Sequence, residues 1–221
     1  MERAFPRAAI VSAYGQTEMS GATTLLKGKD SMRKMGSVGR PMLGVELRVV
    51  DDDLRDVRGE TVGEVVYRGP NVMAGYHQQP EPTAEAFAGD WFHSGDLARF
   101  DSEGYLWLVD RKKDMIVSGG ENVYPAEVER VLLDHPAVAE AAVIGVPHPR
   151  WVETPVAFVV PAGGRDVAEA ELIAHCREYL AGYKKPSAIV VVGELPRNAS
   201  GKVLKRILRE TYSDYSPAVR E

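Results

Sequence analysis

The residue pattern of this chain changes at residues 110–114, a run of five charged residues with the sequence Asp-Arg-Lys-Lys-Asp. Before this run, short segments of alternating apolar and polar residues, bounded by glycine or charged residues, are typical of β-strands. After it, strand-like segments are mixed with apolar residues at helical spacing, as in the segment that begins at Pro125. We therefore predict an α+β protein with a small β-barrel-like subdomain over residues 1–110. A compact α+β domain over residues 111–221, with a short mixed sheet flanked by helices, follows it.

The same patterns predict individual elements. Strands are expected where short apolar or alternating runs occur, at residues 9–12, 45–50, 62–68, 105–109, 115–117, 141–146, 156–160 and 189–192. Helices are expected where helical periodicity or helix-start residues occur, at residues 83–87, from 125 onward, at 167–181 and at 203–211. In the third helix Cys176 lies on the apolar stripe, which predicts a core position for its thiol.

Composition excludes several classes of protein. The 221 residues carry a net charge of −5, so no basic surface is available to displace counterions, and nucleic acid is excluded as a partner. No stretch approaches the roughly 18 apolar residues of a membrane span, so no transmembrane segment is expected. Cys176 is the single cysteine, which rules out a disulfide framework and predicts a reducing, cytoplasmic setting.

Two short segments of the first subdomain carry groups that suit nucleotide chemistry. Residues 14–18 read Tyr-Gly-Gln-Thr-Glu, and a hydroxyl and a carboxylate beside a glycine turn can hold a phosphate and a magnesium ion; the alternative is a plain β-turn and polar loop. Residues 93–96 read His-Ser-Gly-Asp, and an ionised aspartate offers only acceptors, as two ribose hydroxyls require. The alternative for residues 93–96 is a hairpin turn with a capping aspartate.

Two further segments are ambiguous when taken alone. The charged run at 110–114 is equally expected of a solvated linker. Residues 196–202, Pro-Arg-Asn-Ala-Ser-Gly-Lys, are superficially like a phosphate loop, but Pro196 stands where that loop needs glycine and Val203 where it needs serine or threonine. What remains is Lys202 on a loop that leads into a helix.

The order of these segments is more informative than any one of them. Over nearly its whole length the chain resembles the adenylate-forming superfamily. Five motifs carry this resemblance, in the order Tyr-Gly-x-Thr-Glu, Gly-Asp, Asp-Arg-x-Lys-Asp, residues 118–125 and Pro-Arg-Asn-x-Ser-Gly-Lys. Residues 121–125, Glu-Asn-Val-Tyr-Pro, and 142–147, Ala-Val-Ile-Gly-Val-Pro, are most similar to the fatty-acyl and aryl CoA ligase branch.

This resemblance implies an enzyme that uses ATP, Mg²⁺ and CoA to convert a carboxylic acid, expected to be a fatty acid, into an acyl-adenylate and then a thioester. It implies that residues 111–221 form a lid. It also assigns roles by position in the motifs: Tyr14 and Gly15 at the adenine side, Thr17 on phosphate, Glu18 on Mg²⁺, Asp96 and Arg111 on the ribose, Lys202 between carboxylate and phosphate, Lys113 at the hinge, and Gly119 and Gly120 at the CoA channel.

One departure from the family pattern leaves more than one interpretation of this chain open. The Ser/Thr/Gly-rich phosphate loop that precedes the Tyr-Gly-x-Thr-Glu motif in the family does not occur here. We therefore expect the chain to be a C-terminal fragment that is inactive alone and self-associates through the apolar surface that truncation exposes. The alternatives are a non-catalytic module that binds a nucleotide or a protein, and an adenylating ligase that loads a carrier protein.

Overall fold

A computed structural model describes residues 8–165, 167–213, 215 and 217. The chain divides into two compact units between Lys112 and Lys113, within the charged run at which the sequence analysis places a boundary. The predicted fold class is confirmed: the protein is α+β, and one of its sheets curls like half of a barrel. Among the described residues, no helix is both long enough and apolar enough to cross a membrane.

The first unit is built from short strands. They are β1 (Ser12–Gln16), β2 (Gly21–Leu26), β3 (Arg40–Pro41), β4 (Glu46–Val50), β5 (Gly63–Arg68), β6 (Phe87–Ala88), β7 (Trp91–Phe100) and β8 (Leu106–Arg111), with one helix, α1 (Pro80–Ala86), before β6. Strands β1 to β3 form one antiparallel sheet, and β4, β5, β7 and β6 form a second, in which β8 also pairs with β7.

The core of this unit lies on the curled sheet. Met19, Val65, Tyr67 and Leu106 are fully buried in it. Met19 belongs to a 3₁₀ turn, Thr17–Met19, that joins β1 to β2. The buried methionine therefore anchors the segment that carries Thr17 and Glu18 to the core.

The first predicted strand is wrong in position. Residues 9–11 lie outside β1, and Ile10 and Val11 are exposed. The register explains the shift, because Ser12 pairs with Leu26, the last residue of β2, and residues 9–11 have no strand opposite them. As a consequence Tyr14 and Gly15 lie inside β1 and not after a strand.

The second unit is a mixed sheet with helices on both faces. Its strands are β9 (Ile116–Ser118), β10 (Glu121–Val123), β11 (Val138–His148), β12 (Val152–Pro161) and β13 (Ala188–Val191), and its helices are α2 (Pro125–Leu133), α3 (Glu169–Tyr179) and α4 (Lys205–Thr211). The order is β10-β9-β12-β11, and β13 runs parallel to β12. Pro125 is in the first turn of α2, as predicted.

Side-chain alternation along β11 explains the two layers of helices. Val143 packs with α2 and α3, whereas Ala142 and Ile144 pack on the opposite face with Leu208 of α4. Successive side chains of a strand point to opposite faces, so a strand covered on both sides is a continuous apolar run. Cys176 is fully buried between α3 and this sheet, which confirms its predicted core position.

Candidate functional site

The structure brings two predicted site residues, Tyr14 and Arg111, together around the carboxylate of a third, Asp96, which is only 6% exposed. The hydroxyl of Tyr14 donates to Asp96 Oδ2 at 2.6 Å, and the Nε2 group of Gln16 donates to the same oxygen at 2.9 Å. The guanidinium of Arg111 lies 3.1 Å from Asp96 Oδ1 through its Nε. Residues from three separate motifs, on β1, β7 and β8, thus form one cluster.

A kink within β7 places Asp96. Gly95 has a φ of 68°, a left-handed conformation that glycine adopts readily, and the pairing of β5 with β7 shifts register at this point. The Ser94 hydroxyl stabilises the kink, because it donates to the carbonyl of Val65 at 2.6 Å and accepts from the Asp96 amide at 3.0 Å. The alternative reading of residues 93–96 as a hairpin turn is therefore wrong: the segment is a bulge in the middle of a long strand.

Burial fixes the protonation of Tyr14. Desolvation, the neighbouring Tyr67 and the hydrogen bond to Asp96 together raise the pKa of the Tyr14 phenol far above its ordinary value. Tyr14 therefore remains a hydroxyl and a permanent donor to Asp96. The structure gives its hydroxyl this contact; the predicted contact of its ring with an adenine stays a prediction.

Gly15 has a structural explanation of its own. A Cβ at this position would lie 1.8 Å from the carbonyl oxygen of Gly21 on the paired strand. The close approach of β1 and β2 therefore requires glycine here, whether or not a ligand is present. Its predicted part in nucleotide binding stays a prediction.

Thr17 and Glu18 line a pocket of about 420 Å³ that also reaches Tyr76, Ser94 and Arg111. The Tyr76 hydroxyl donates to Glu18 Oε1 at 3.0 Å, so the carboxylate is directed into this pocket. Sequence analysis missed Tyr76, because nothing in its local sequence marks it, and it also missed Gln16 although it lies within the first motif.

The donor set of this pocket fits one kind of metal site. Among the described residues, no group of three or more His, Cys, Asp or Glu side chains is placed to hold a metal ion. Glu18 offers one carboxylate, and Mg²⁺ in nucleotide sites is usually bound by one or two carboxylates together with the substrate phosphates. The pocket is therefore suited to a magnesium–phosphate complex and not to a metal held by protein ligands alone.

In the second unit, a tight loop presents Lys202. The Asn198 side-chain oxygen accepts from the Ser200 amide at 3.1 Å and from the Lys202 amide at 2.9 Å, and Gly201 is left-handed with a φ of 83°. The Lys202 side chain is exposed and has no ion pair with any residue that the structure describes. The predicted loop before a helix is thus observed, with α4 beginning at Lys205.

The other three predicted residues in this unit also have defined backbones. Gly119 and Gly120 are the central residues of the β9–β10 hairpin, with φ values of 61° and 89°. Positive φ at both positions is the geometry of a two-residue hairpin turn and explains the glycines without a ligand. Lys113 lies exposed in a 3₁₀ turn, Lys112–Asp114. The CoA and hinge roles of these residues stay predictions.

Comparison with known proteins gives the class. The model of the AMP-binding enzyme family matches residues 1–77, and the model of the AMP-binding enzyme C-terminal domain matches residues 127–202. The chain carries parts of both domains and belongs to the adenylate-forming, AMP-binding enzyme family.

Individual relatives are more specific. The chain is 47% identical over 200 residues to a 2-succinylbenzoate–CoA ligase of Geobacillus kaustophilus, covering 90% of this chain and 41% of that enzyme. It is 45% identical to the enzyme of the same name from Bacillus cereus strain Q1, covering 91% and 41%. The chain therefore spans about 41% of the length of these relatives.

Solved structures agree with this assignment. The o-succinylbenzoate CoA synthetase MenE of Bacillus subtilis, in complex with the acyl-adenylate OSB-AMP, superposes with a TM-score of 0.85 at 40% identity, covering 94% of this chain and 42% of that one. ATP-bound MatB from Rhodopseudomonas palustris superposes with a TM-score of 0.86 at 39% identity, covering 94% and 41%.

Proposed function

We propose that this chain provides the ribose-binding site and the C-terminal domain of an ATP-dependent acid–CoA ligase. In the first step a substrate carboxylate attacks the α-phosphorus of ATP and expels pyrophosphate, giving an acyl-adenylate. In the second step the CoA thiolate attacks the acyl carbonyl and expels AMP, giving the thioester. The observation that carries the proposal is the convergence of Tyr14, Gln16 and Arg111 on the buried carboxylate of Asp96.

Asp96 is the proposed acceptor for the ribose hydroxyls. A carboxylate has about four lone-pair sites. Tyr14 and Gln16 already donate to Oδ2, and Arg111 forms an ion pair with Oδ1, so a ribose hydroxyl takes a remaining site or displaces the amide of Gln16. Arg111, which never loses its charge, keeps the carboxylate in place while the ribose binds.

Thr17 and Glu18 are the proposed phosphate-side residues. Both line the pocket that also reaches Arg111, so a nucleotide with its ribose at Asp96 has its phosphates beside them. When bound, Mg²⁺ would neutralise charge on the phosphates of ATP. Tyr76 holds the Glu18 carboxylate by a hydrogen bond and so orients the residue proposed to ligate that ion.

Lys202, Lys113 and the Gly119–Gly120 turn are the proposed residues of the C-terminal domain. The first step joins two anions, so a cation is needed near the attacking carboxylate and the α-phosphate. Lys202 is an exposed ammonium at the tip of a loop that Asn198 holds by hydrogen bonds. A rotation with its pivot at Lys113 would then withdraw Lys202 and bring the Gly119–Gly120 turn to the CoA thiol. Pivot residues absorb changes in backbone dihedrals and need not be small.

The proposed substrate acid is aromatic. The two ligases from Geobacillus kaustophilus and Bacillus cereus and the MenE enzyme of Bacillus subtilis are named for 2-succinylbenzoate, an aromatic acid, and none of these three names supports the fatty acid that the sequence analysis expected. They are also CoA ligases, which favours CoA over a carrier protein as the acceptor.

The test of the proposed site is binding of AMP by the chain, measured by isothermal titration calorimetry against 2′,3′-dideoxy-AMP. Because Asp96 is proposed to accept from the ribose hydroxyls, AMP should bind tighter than the dideoxy analogue by about 10-fold or more, the value of hydrogen bonds to a charged acceptor. Equal affinities, or no binding of either nucleotide, would refute the assignment of the site.

A further inference from the structure

Glu64 is a buried carboxylate that none of the proposed chemistry uses. It lies on β5, beside the kink in β7, and only 7% of its surface is exposed. Burial of an unpaired carboxylate is costly, so such a residue is expected to be held by several donors. The donors that hold Glu64 come from β7 and from the residue that directly follows β8.

Two of these donors are next to residues of the ribose site. The Gly95 amide donates to Glu64 Oε1 at 3.1 Å, and Gly95 directly precedes Asp96. The Lys112 ammonium donates to Glu64 Oε2 at 3.1 Å, and Lys112 directly follows Arg111. Asp96 and Arg111 are themselves paired in register between β7 and β8. Glu64 thus contacts the neighbour of each member of the Asp96–Arg111 pair.

A third donor completes the contact set of Glu64. His93 Nδ1 lies 3.0 Å from Oε2, and because a carboxylate only accepts, the imidazole proton is on Nδ1. Burial raises the pKa of Glu64, but the hydrogen bonds from His93 and Lys112 and the charge of Lys112 outweigh it and hold the pKa below its ordinary value. The carboxylate therefore remains ionised, as three simultaneous donors require.

We propose that Glu64 is a positioning residue that sets the geometry of the ribose site by holding the Gly95 kink and the Lys112 ammonium at once. This inference rests on the proposed function, since it assigns Asp96 and Arg111 to a nucleotide ribose. Without Glu64 the kink in β7 loses its side-chain acceptor, and the end of β8 loses the buried partner of Lys112. The second partner, Asp52 at 2.8 Å, is 90% exposed and holds Lys112 only weakly.

The test uses Glu64→Gln, which keeps size and shape but places an amide group against the donors of His93 and Lys112. AMP affinity of this variant should fall by about 10- to 100-fold, the scale of a small misplacement of binding groups. The ratio of the AMP and dideoxy-AMP affinities should fall towards one, because the ribose contacts are what is misaligned. A loss of folding stability alone would leave that ratio unchanged.

Two further variants make the result specific. Glu46→Gln is the matched control, since Glu46 pairs with Arg68 on the exposed surface of the same sheet, and it should leave both affinities unchanged. Lys112→Met removes one of the donors to Glu64. Because the Lys112 side chain is 44% exposed, AMP binding should weaken by only about three- to tenfold, the value of one hydrogen bond to a charged group discounted for exposure. If Glu64→Gln does not fold, an unchanged AMP affinity of Lys112→Met overturns the proposal.

The failure of this proposal is distinguishable from failure of the proposed function. If wild type prefers AMP over its dideoxy analogue and Glu64→Gln shows the same ratio, Glu64 has no positioning role and the proposed function stands. If wild type binds neither nucleotide, the proposed function fails. The amide proton shift of Gly95 in an NMR spectrum then tests whether the Glu64 carboxylate holds the Gly95 amide. That shift should move upfield in Glu64→Gln, because a neutral acceptor replaces a charged one; an unmoved signal overturns the proposal.

Discussion

Replacement of Asp96 by asparagine is the perturbation that most directly probes the ribose site. The substitution preserves the shape of the side chain and removes one of its two acceptor oxygens. In the folded protein Oδ2 accepts hydrogen bonds from Tyr14 and Gln16, and Oδ1 forms an ion pair with Arg111. An asparagine must therefore turn its NH₂ group towards one set of donors, where it can no longer accept their hydrogen bonds.

The expected losses of folding stability and of AMP affinity follow from these contacts. Loss of acceptors for buried or half-buried donors costs about 1–3 kcal/mol of folding free energy, and the Arg111 contribution lies at the low end because its side chain is 43% exposed. For the ligand, a hydrogen bond to a charged acceptor is worth about 1.5–3 kcal/mol, so AMP affinity should fall about 10- to 100-fold. The affinity for dideoxy-AMP should change little, since that ligand has no hydroxyl to lose.

The assay is calorimetric titration of wild type and Asp96→Asn with both nucleotides, with urea unfolding measured on the same samples. Asp56→Asn is the matched control, because Asp56 pairs with Arg48 at 2.6 Å on the surface of the same unit, with its side chain 62% exposed. A folded Asp96→Asn variant that binds AMP as tightly as wild type would refute the reasoning. An equal loss of affinity for both nucleotides would place the effect elsewhere than at the ribose.

Three further predictions concern the second unit. In a full-length ligase that contains this chain, Lys202→Ala should slow adenylation by about 10²- to 10³-fold while thioester formation from pre-made acyl-adenylate is nearly unchanged; equal loss in both half-reactions would contradict a role specific to the first step. Lys113→Pro should do the reverse, because proline fixes the φ angle at the proposed pivot, and normal CoA transfer by this variant would exclude that pivot. Burial raises the pKa of the Cys176 thiol to about 11, so a disulfide reagent should react with it at pH 8 only after unfolding in urea, and rapid reaction of the native protein would contradict the buried placement.

Local sequence patterns correctly predicted features that depend on residues close together in the chain. Pro125 marks the start of α2 because its fixed φ suits the first helical turn, and the helical spacing around Cys176 placed it correctly in the core. The run at residues 9–11 was misassigned because a strand also needs a partner, and the partner strand ends at Leu26. Apolar composition cannot report where the opposite strand stops.

The sequence indicated which residues could form the site, but it did not indicate their geometry. The family motifs pointed to Tyr14, Asp96 and Arg111, and the structure does bring these together. A hairpin turn was the alternative for the segment that carries Asp96, because Ser-Gly is typical of turns and bulges alike, and only the pairing of β7 on both sides distinguishes them. Glu64 is separated from Gly95 and Lys112 by long stretches of chain, so no local signal could have linked it to the site.

The predicted self-association and cytoplasmic location remain predictions, as do the domain limits at residues 110 and 111. Each can be measured on the chain directly, self-association by sedimentation equilibrium. Self-association should make the apparent mass rise with protein concentration, and a constant mass equal to the 24.2 kDa monomer would contradict that expectation.

The most direct measurement of the central claim uses a chimera in which this chain replaces the matched segment of the Geobacillus kaustophilus 2-succinylbenzoate–CoA ligase. Pyrophosphate release and thioester formation should be followed with ATP, Mg²⁺ and CoA, with 2-succinylbenzoate, a fatty acid or no acid. The chimera should release pyrophosphate and form the thioester only with the aromatic acid, and Asp96→Asn should weaken its use of ATP. A folded chimera that binds ATP and 2-succinylbenzoate but forms neither acyl-adenylate nor thioester would contradict the claim that this chain supplies working parts of an acid–CoA ligase.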